Sequence, residues 1–127
     1  MQQQLLFDYE PAKEIKQFKT QLLKWIGNKQ KFAHEIVRTF PPSINTYFEP
    51  FLGSASVLAT LAPDKAIASD AFSPLMDIWI TLKNDPETVK KWYGDRWEIA
   101  NGDKKVEGYE SIKSSFNSKP NAADFLF

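Results

Sequence analysis

Cysteine is absent from the 127 residues, and histidine occurs once, at His34. The first absence excludes a disulfide framework and a thiolate metal site. The second excludes a typical zinc site, which needs several imidazole or thiolate ligands, so no metal is expected. His34 lies in a helix-like segment and reads as a partly exposed surface residue. Charge of one sign is lacking too: Lys+Arg and Asp+Glu number 16 each, which gives no global argument for a nucleic-acid or membrane partner. No long apolar run is present, and the glutamine-rich N-terminus has no basic region leading into an apolar stretch. Neither a transmembrane span nor a signal peptide is read, and a cytoplasmic protein is the expectation. Repeats and low-complexity runs are missing as well.

What is present is enough for one domain. Hydrophobic residues make up 43% and aromatics 14% of the chain, so an ordinary globular core is possible. Charge is unevenly spread. Residues 13–38 hold seven basic residues (Lys13, Lys16, Lys19, Lys24, Lys29, Lys31, Arg38) against Glu14 and Glu35. Such a patch can meet a phosphate or a carboxylate, although scattered lysines more often form a solvated face.

The chain is organised around residues 46–56. Thr46, Tyr47 and Phe48 are strand formers, and Pro50, lacking a donor, belongs at the strand's end or just beyond. Gly53 can take a positive φ or let a group approach the backbone. Ser54 or Ser56 can cap a helix over Val57 to Ala62. A strand, a glycine turn and a helix together present free N–H groups that favour an anionic or polar ligand. An ordinary βα turn has the same outline.

Around it, residues 1–20 read as a lead-in in which Leu5, Leu6 and Phe7 can dock. Leu22, Leu23, Trp25 and Ile26 followed by Gly27-Asn28 predict an ordered loop. A helix is expected from Gln30, with Phe32, Ile36, Val37 and Phe40 on its apolar side, ended by Pro41-Pro42. Lys65 to Ser69 is a second short strand, closing on Asp70. Ser73 and Pro74 open a helix carrying Leu75, Met76, Ile78, Trp79 and Leu82. Asn84-Asp85-Pro86 stops it and caps another, with Val89, Trp92, Tyr93 and Trp97 on its apolar side. A weaker helix over Val106 to Ser118 puts Tyr109, Ile112 and Phe116 inward. Asn121 can cap a final helix that runs to Phe125-Leu126-Phe127. That apolar end, with few strands for a parallel sheet, predicts a fragment or one part of a two-chain assembly, prone to self-association.

In an open α/β sheet, ligands bind outside the carboxyl ends of the strands. Asp70, at the end of the second strand, can accept from ribose hydroxyls or cap the helix that starts near Ser73. With the Gly53 turn and the loop bearing Lys24, Trp25 and Lys29, the residues point to a nucleoside-bearing cofactor.

Four ordered segments carry a resemblance. Leu23-Lys24-Trp25-Ile26-Gly27-Asn28-Lys29 is similar to the K-W-A-G-G-K segment of D12-class (Dam-like) DNA adenine N6-methyltransferases. Tyr47 to Val57, Y-F-E-P-F-L-G-S-A-S-V, resembles that family's E-P-F-x-G-G-G-A-V. Ala68-Ser69-Asp70 matches its S-D, and Asn84-Asp85-Pro86-Glu87 is similar to its N-P-E helix start. The resemblance implies a partial Rossmann-like α/β fold with a parallel sheet. Helices would dominate the C-terminal half: a cofactor-binding part over about 21–72 and a helical part over about 73–127. It implies S-adenosylmethionine as cofactor and double-stranded DNA as substrate, with the target adenine flipped into the pocket. Trp25 would pack near the cofactor and Lys29 would pair with its carboxylate. Phe48, Glu49, Pro50, Phe51 and Gly53 would line it, Asp70 would hold the ribose, and Lys24 would contact DNA. Asn28 replaces the second glycine of the first segment, and Ser54 and Ser56 interrupt the glycine-rich turn. The catalytic D-P-P-Y segment is absent from these residues, so the chain alone is expected to be catalytically silent. The alternatives are a non-catalytic cofactor- or DNA-binding remnant or subunit of a restriction–modification system, and a small nucleotide-binding α/β protein unrelated to DNA.

Overall fold

A computed structural model describes residues 20–127. The lead-in, with Leu5, Leu6 and Phe7, lies outside the described residues apart from Thr20. The chain divides between Ser69 and Asp70 into two compact units.

The first unit is a βαβ arrangement preceded by a loop and a helix. After the loop comes α1 (Ala33–Arg38), three residues later than the expected start at Gln30. The reason is local. The Asn28 side chain accepts from Gln30 N–H and the Lys29 carbonyl accepts from Phe32 N–H, so this stretch is held in turns. Strand β1 (Tyr47–Glu49) leads into α2 (Ser56–Leu61), and β2 (Ala66–Ala68) returns parallel to β1. The register pairs Tyr47 with Ala66, Phe48 with Ile67 and Glu49 with Ala68. Alternation along a strand puts Tyr47 and Glu49 on one face and Phe48 on the other. Tyr47 packs with Ile36, Phe40 and Leu61 against the buried core of Ala33, Val37 and Val57. Phe48 and Ile67 lie exposed on the opposite face. His34 is mostly buried, with 20% of its side chain exposed, and its Nδ1 has no hydrogen-bond partner among the described residues.

The second unit is helical: α3 (Ser73–Asn84), α4 (Pro86–Ile99), a 3-10 turn (Gly102–Lys104), α5 (Lys105–Ser118) and α6 (Ala122–Leu126). Leu75 and Ile78 of α3 are its fully buried centre. Pro74 stands in the first turn of α3, where a missing N–H costs nothing. The Ser73 hydroxyl is not the cap, because the helix already begins at Ser73 and Phe72 holds the N-cap position. Asp85 caps α4 as expected, accepting from Thr88 N–H at 3.2 Å and Thr88 Oγ1 at 2.6 Å. Asn121 caps α6 through Asp124 N–H at 2.9 Å.

The inward faces of α4 and α5 are narrower than helical spacing suggested. Tyr93, Trp97 and Tyr109 are about half exposed, while Val89 and Ile112 are buried. Tyr93 and Trp97 stack on one another along the surface of α4 instead. Two other contacts fill the space. Gly108 of α5 lies so close to Ile99 and Ala100 that a Cβ there would overlap the Ile99 carbonyl. The Asp124 carboxylate gathers three helices. It accepts from Arg96 Nε at 2.8 Å and Nη2 at 2.6 Å, from Ser115 Oγ at 2.7 Å, and from Asn121 Nδ2 at 2.8 Å. Beside it, the rings of Phe72, Phe116 and Phe125 cluster, with Phe72 edge-on to the other two. Among the described residues no helix is long and apolar enough to cross a membrane, and no group of acidic residues and histidines could hold a metal ion.

Candidate functional site

The most continuously buried stretch of the first unit is Leu52–Val57, the turn between β1 and α2. It is stitched to the end of the second strand: Leu52 N–H donates to the Ser69 carbonyl at 2.9 Å, and Ser69 N–H donates to the Glu49 carbonyl at 3.0 Å. Ala55 N–H donates to the Leu52 carbonyl at 2.9 Å and closes a four-residue turn. Gly53, the first central residue, has φ +51°, a backbone state glycine reaches without steric cost. The expected need for glycine at this position is met.

The next residues correct an expectation. Neither Ser54 nor Ser56 caps α2. The N-cap is Ala55, in the left-handed region at φ +55°, with no side-chain cap hydrogen bond. The two serine hydroxyls lie on either side of it and bond to each other at 2.7 Å, both buried. A second left-handed alanine, Ala62 at φ +45°, closes the helix at its other end. Left-handed backbone costs an L residue roughly 1–2 kcal/mol. The resembled pattern places glycine at position 55, and that was the available signal for a left-handed cap.

Glu49 ends β1 with its side chain turned toward α2. Leu58 N–H and the Tyr47 hydroxyl hydrogen-bond to it, so a strand residue satisfies one of the helix's orphan donors. Its Oε2 is buried with no partner among the described residues. Burial pushes the Glu49 carboxyl above its usual range, against the opposing pull of the Tyr47 and Leu58 hydrogen bonds. Burial, with the charge of Glu49 and the hydrogen bond to it, pushes the Tyr47 phenol up to about 12.

The loop at 25–32 brings Trp25 onto this turn. A Cβ built on Gly53 would lie 3.2 Å from Trp25 Cδ1 and 3.4 Å from Nε1, so the indole rests on the glycine. The loop is held in shape by Asn28. Its N–H and its side-chain Nδ2 both donate to the Trp25 carbonyl, at 3.1 and 2.8 Å, across a turn with Gly27 at φ +71°. Asn28, a departure from the resembled glycines, is therefore the clamp of the loop.

Of the other expected site residues, Lys29 is exposed and its Nζ donates to the Gly27 carbonyl at 2.7 Å. Lys24 and Pro50 are exposed. Phe51 is 88% exposed beside the buried turn, and Phe48 points to the strand face opposite Glu49. Trp25, Glu49 and Gly53 are thus assembled around one turn, and Phe48 is not on their face. Asp70 opens the second unit, where its Oδ1 accepts from Phe72 N–H at 3.0 Å, the side-chain turn typical of aspartate ahead of a helix.

The family model for D12 class N6 adenine-specific DNA methyltransferases matches residues 25–127, from the tryptophan on the glycine turn to the last helix. The chain belongs to this family. Three relatives fit that assignment. A type II methyltransferase, M1.LlaDCHI of Lactococcus lactis subsp. cremoris, is 36% identical over 52% of this chain and 23% of its own length. A DNA adenine methylase of Vibrio cholerae serotype O1 is 28% identical over 79% of this chain and 35% of its own length. The modification methylase StsI of Streptococcus sanguinis is 23% identical over 80% of this chain and 16% of its own length. The chain thus spans between a sixth and about a third of the length of these three relatives.

Proposed function

We propose that this D12-class chain is the cofactor-binding part of a DNA adenine N6-methyltransferase that uses S-adenosylmethionine. The observation that carries the reading is the buried β1–α2 turn, with Trp25 laid on Gly53 and a partnerless carboxylate oxygen of Glu49 beside it. A buried acceptor without a donor is costly, and the cofactor's ammonium group has the hydrogen-bonding sense to satisfy it. Trp25 supplies an apolar wall. Phe51, exposed beside the turn, can cover a planar base. Lys29, released from the Gly27 carbonyl, can reach a carboxylate. Asp70 can accept from ribose hydroxyls, and Lys24 is free to meet a DNA phosphate. A Rossmann-like completion of the two-stranded parallel sheet belongs to the same reading.

When bound, the cofactor supplies an activated methyl group. Transfer also requires the adenine amino group to be held in line with that methyl, and positioning of this kind provides much of the rate. The D-P-P-Y segment that the family uses for it does not occur in these residues. We therefore infer that the 127-residue chain binds cofactor without methylating DNA, and that transfer appears only when a D-P-P-Y-bearing segment is supplied. Calorimetry with S-adenosylmethionine tests the first part. Binding is expected, and it weakens by about 1–3 kcal/mol in Asp70→Ala if Asp70 holds the ribose. No binding by the intact chain would end the reading. Tritiated-methyl transfer to adenine-containing duplex tests the second part, and activity in the 127-residue chain would refute it.

A further inference from the structure

The loop between Leu23 and Ala33 is pinned at both ends, because those two side chains are buried at 6% and 1% exposure. Between them the backbone turns tightly over Trp25-Ile26-Gly27-Asn28. Asn28 N–H and Nδ2 both donate to the Trp25 carbonyl, and Gly27 takes the positive φ, +71°, that the third residue of a type II turn requires. Trp25 rests on Gly53, so the base of this turn is fixed to the β1–α2 turn. Ile26 stands at the corner and is 98% exposed. One exposed isoleucine is ordinary on a protein surface. This one is held outward by a clamped turn, and its branched side chain is stiff at χ1. The charge around it has one sign. Residues 20–33 hold Lys24, Lys29 and Lys31, all exposed, and no aspartate or glutamate.

An apolar tip set among cations is complementary to a partner that is anionic outside and apolar within. Duplex DNA has that make-up: phosphates line its surface, and apolar side chains can enter between its stacked bases. In the reaction proposed above the adenine must leave its stack, which opens such a gap close to the cofactor. Ile26 follows directly on the Trp25 wall. We propose that Ile26 is a wedge that enters the DNA at the step vacated by the target adenine, with Lys24 and Lys31 on the flanking phosphates. The proposal rests on the DNA reading above and adds a residue that acts through its apolar side chain. The lysines hold the duplex without reading its bases. Ile26 offsets part of the cost of unstacking, and the clamped turn lets it do so with little ordering of its own on binding.

The test titrates a fluorescent duplex, intact or with one abasic site, with the full chain and reads anisotropy at low salt, where phosphate contacts are strongest. The abasic duplex should bind about tenfold more tightly, because part of the unstacking is already done. Ile26→Ser should erase that preference, and Ile26→Leu, which keeps an apolar tip, should retain it. Lys24→Ala should weaken both duplexes alike and lower the slope of log affinity against log salt by about 1. Equal binding of the two duplexes by the unaltered chain, or a preference that survives Ile26→Ser, would overturn the wedge. Loss of the preference in both Ile26 variants would make the side chain a mere support of the turn and overturn it too. So would reduced light scattering in Ile26→Ser with the preference intact, which would make the tip a contact between copies of the chain. Calorimetry with S-adenosylmethionine separates the two readings. A chain that binds the cofactor but neither duplex overturns the wedge alone, and a chain that binds none of them ends both.

Discussion

Replacing Gly53 by alanine tests the contact on which the site is built. Two penalties arise. Gly53 has φ +51°, and an L residue pays roughly 1–2 kcal/mol there; a gain of about 0.4–1 kcal/mol from the stiffer unfolded chain offsets part of it. The new methyl also meets Trp25 Cδ1 at 3.2 Å, closer than comfortable carbon–carbon separation, so the indole must shift. Gly102 is the matched control: its φ is +64° and a Cβ there would meet nothing within 4 Å. Gly102→Ala should cost only the backbone penalty, about 1 kcal/mol net. Gly53→Ala should cost more, by about 1 kcal/mol if the crowding resembles ordinary overpacking. Urea denaturation gives both values. Trp25 fluorescence, assigned by difference against Trp25→Phe, should change in Gly53→Ala and stay fixed in Gly102→Ala. Equal costs and an unmoved Trp25 signal would mean that the indole does not rest on the turn.

Ala62→Gly should stabilise the chain by about 0.5–1 kcal/mol, because Ala62 closes α2 at φ +45° on an exposed position and loses no packing; a destabilised variant in a urea melt would contradict the left-handed cap. Ala55→Gly relieves the same strain but uncovers a buried methyl, worth about 0.8 kcal/mol, so its net change should be near zero. Arg96→Met leaves the Asp124 carboxylate without its cation but with the bonds from Ser115 and Asn121, and should destabilise by about 1–3 kcal/mol, read as a lowered thermal midpoint. Burial would raise Asp124, but the hydrogen bonds from Asn121, Ser115 and Arg96 prevail and hold its carboxyl below the ordinary 3.8. A carboxyl lowered on folding contributes stability above its unfolded pKa and loses it as pH falls through the folded one. Thermal stability should therefore decline below about pH 3.8, and Asp124→Asn should flatten part of that decline.

Much of this was legible because the determinants are local. Asp85 before Pro86 and Asn121 before Ala122-Ala123 announce caps whose geometry depends on three neighbouring residues, and both caps are formed. Gly53 shortly after a strand that Pro50 closes announces a turn, and the parallel pairing of β1 with β2 follows from the helix between them. Legibility ended where the outcome depended on what a side chain meets in space. Serine next to a helix start suggests a cap, yet Ala55 takes that position and leaves Ser54 and Ser56 to each other. Helical spacing marks Tyr93, Trp97 and Tyr109 as apolar, but not whether another helix reaches them, and they stay half exposed. Asp124 reads as an ordinary first-turn acid of α6. Its burial against Arg96 and Ser115 comes from three helices and has no sequence period.

The same carboxylate sets how α6 breathes. A helix of five residues, Ala122–Leu126, is too short to persist in water, where nucleation alone outweighs so few hydrogen bonds. Its order is borrowed through Asp124 from α4 and α5. Opening α6 would strand the Arg96 guanidinium and undo the bonds to Ser115 and Asn121 together. The Phe125 amide, bonded to the Asn121 carbonyl at 3.1 Å, should then exchange its hydrogen for deuterium as slowly as the amides at the middle of α4. Local opening of the last turn and opening of the whole helical unit become a single event.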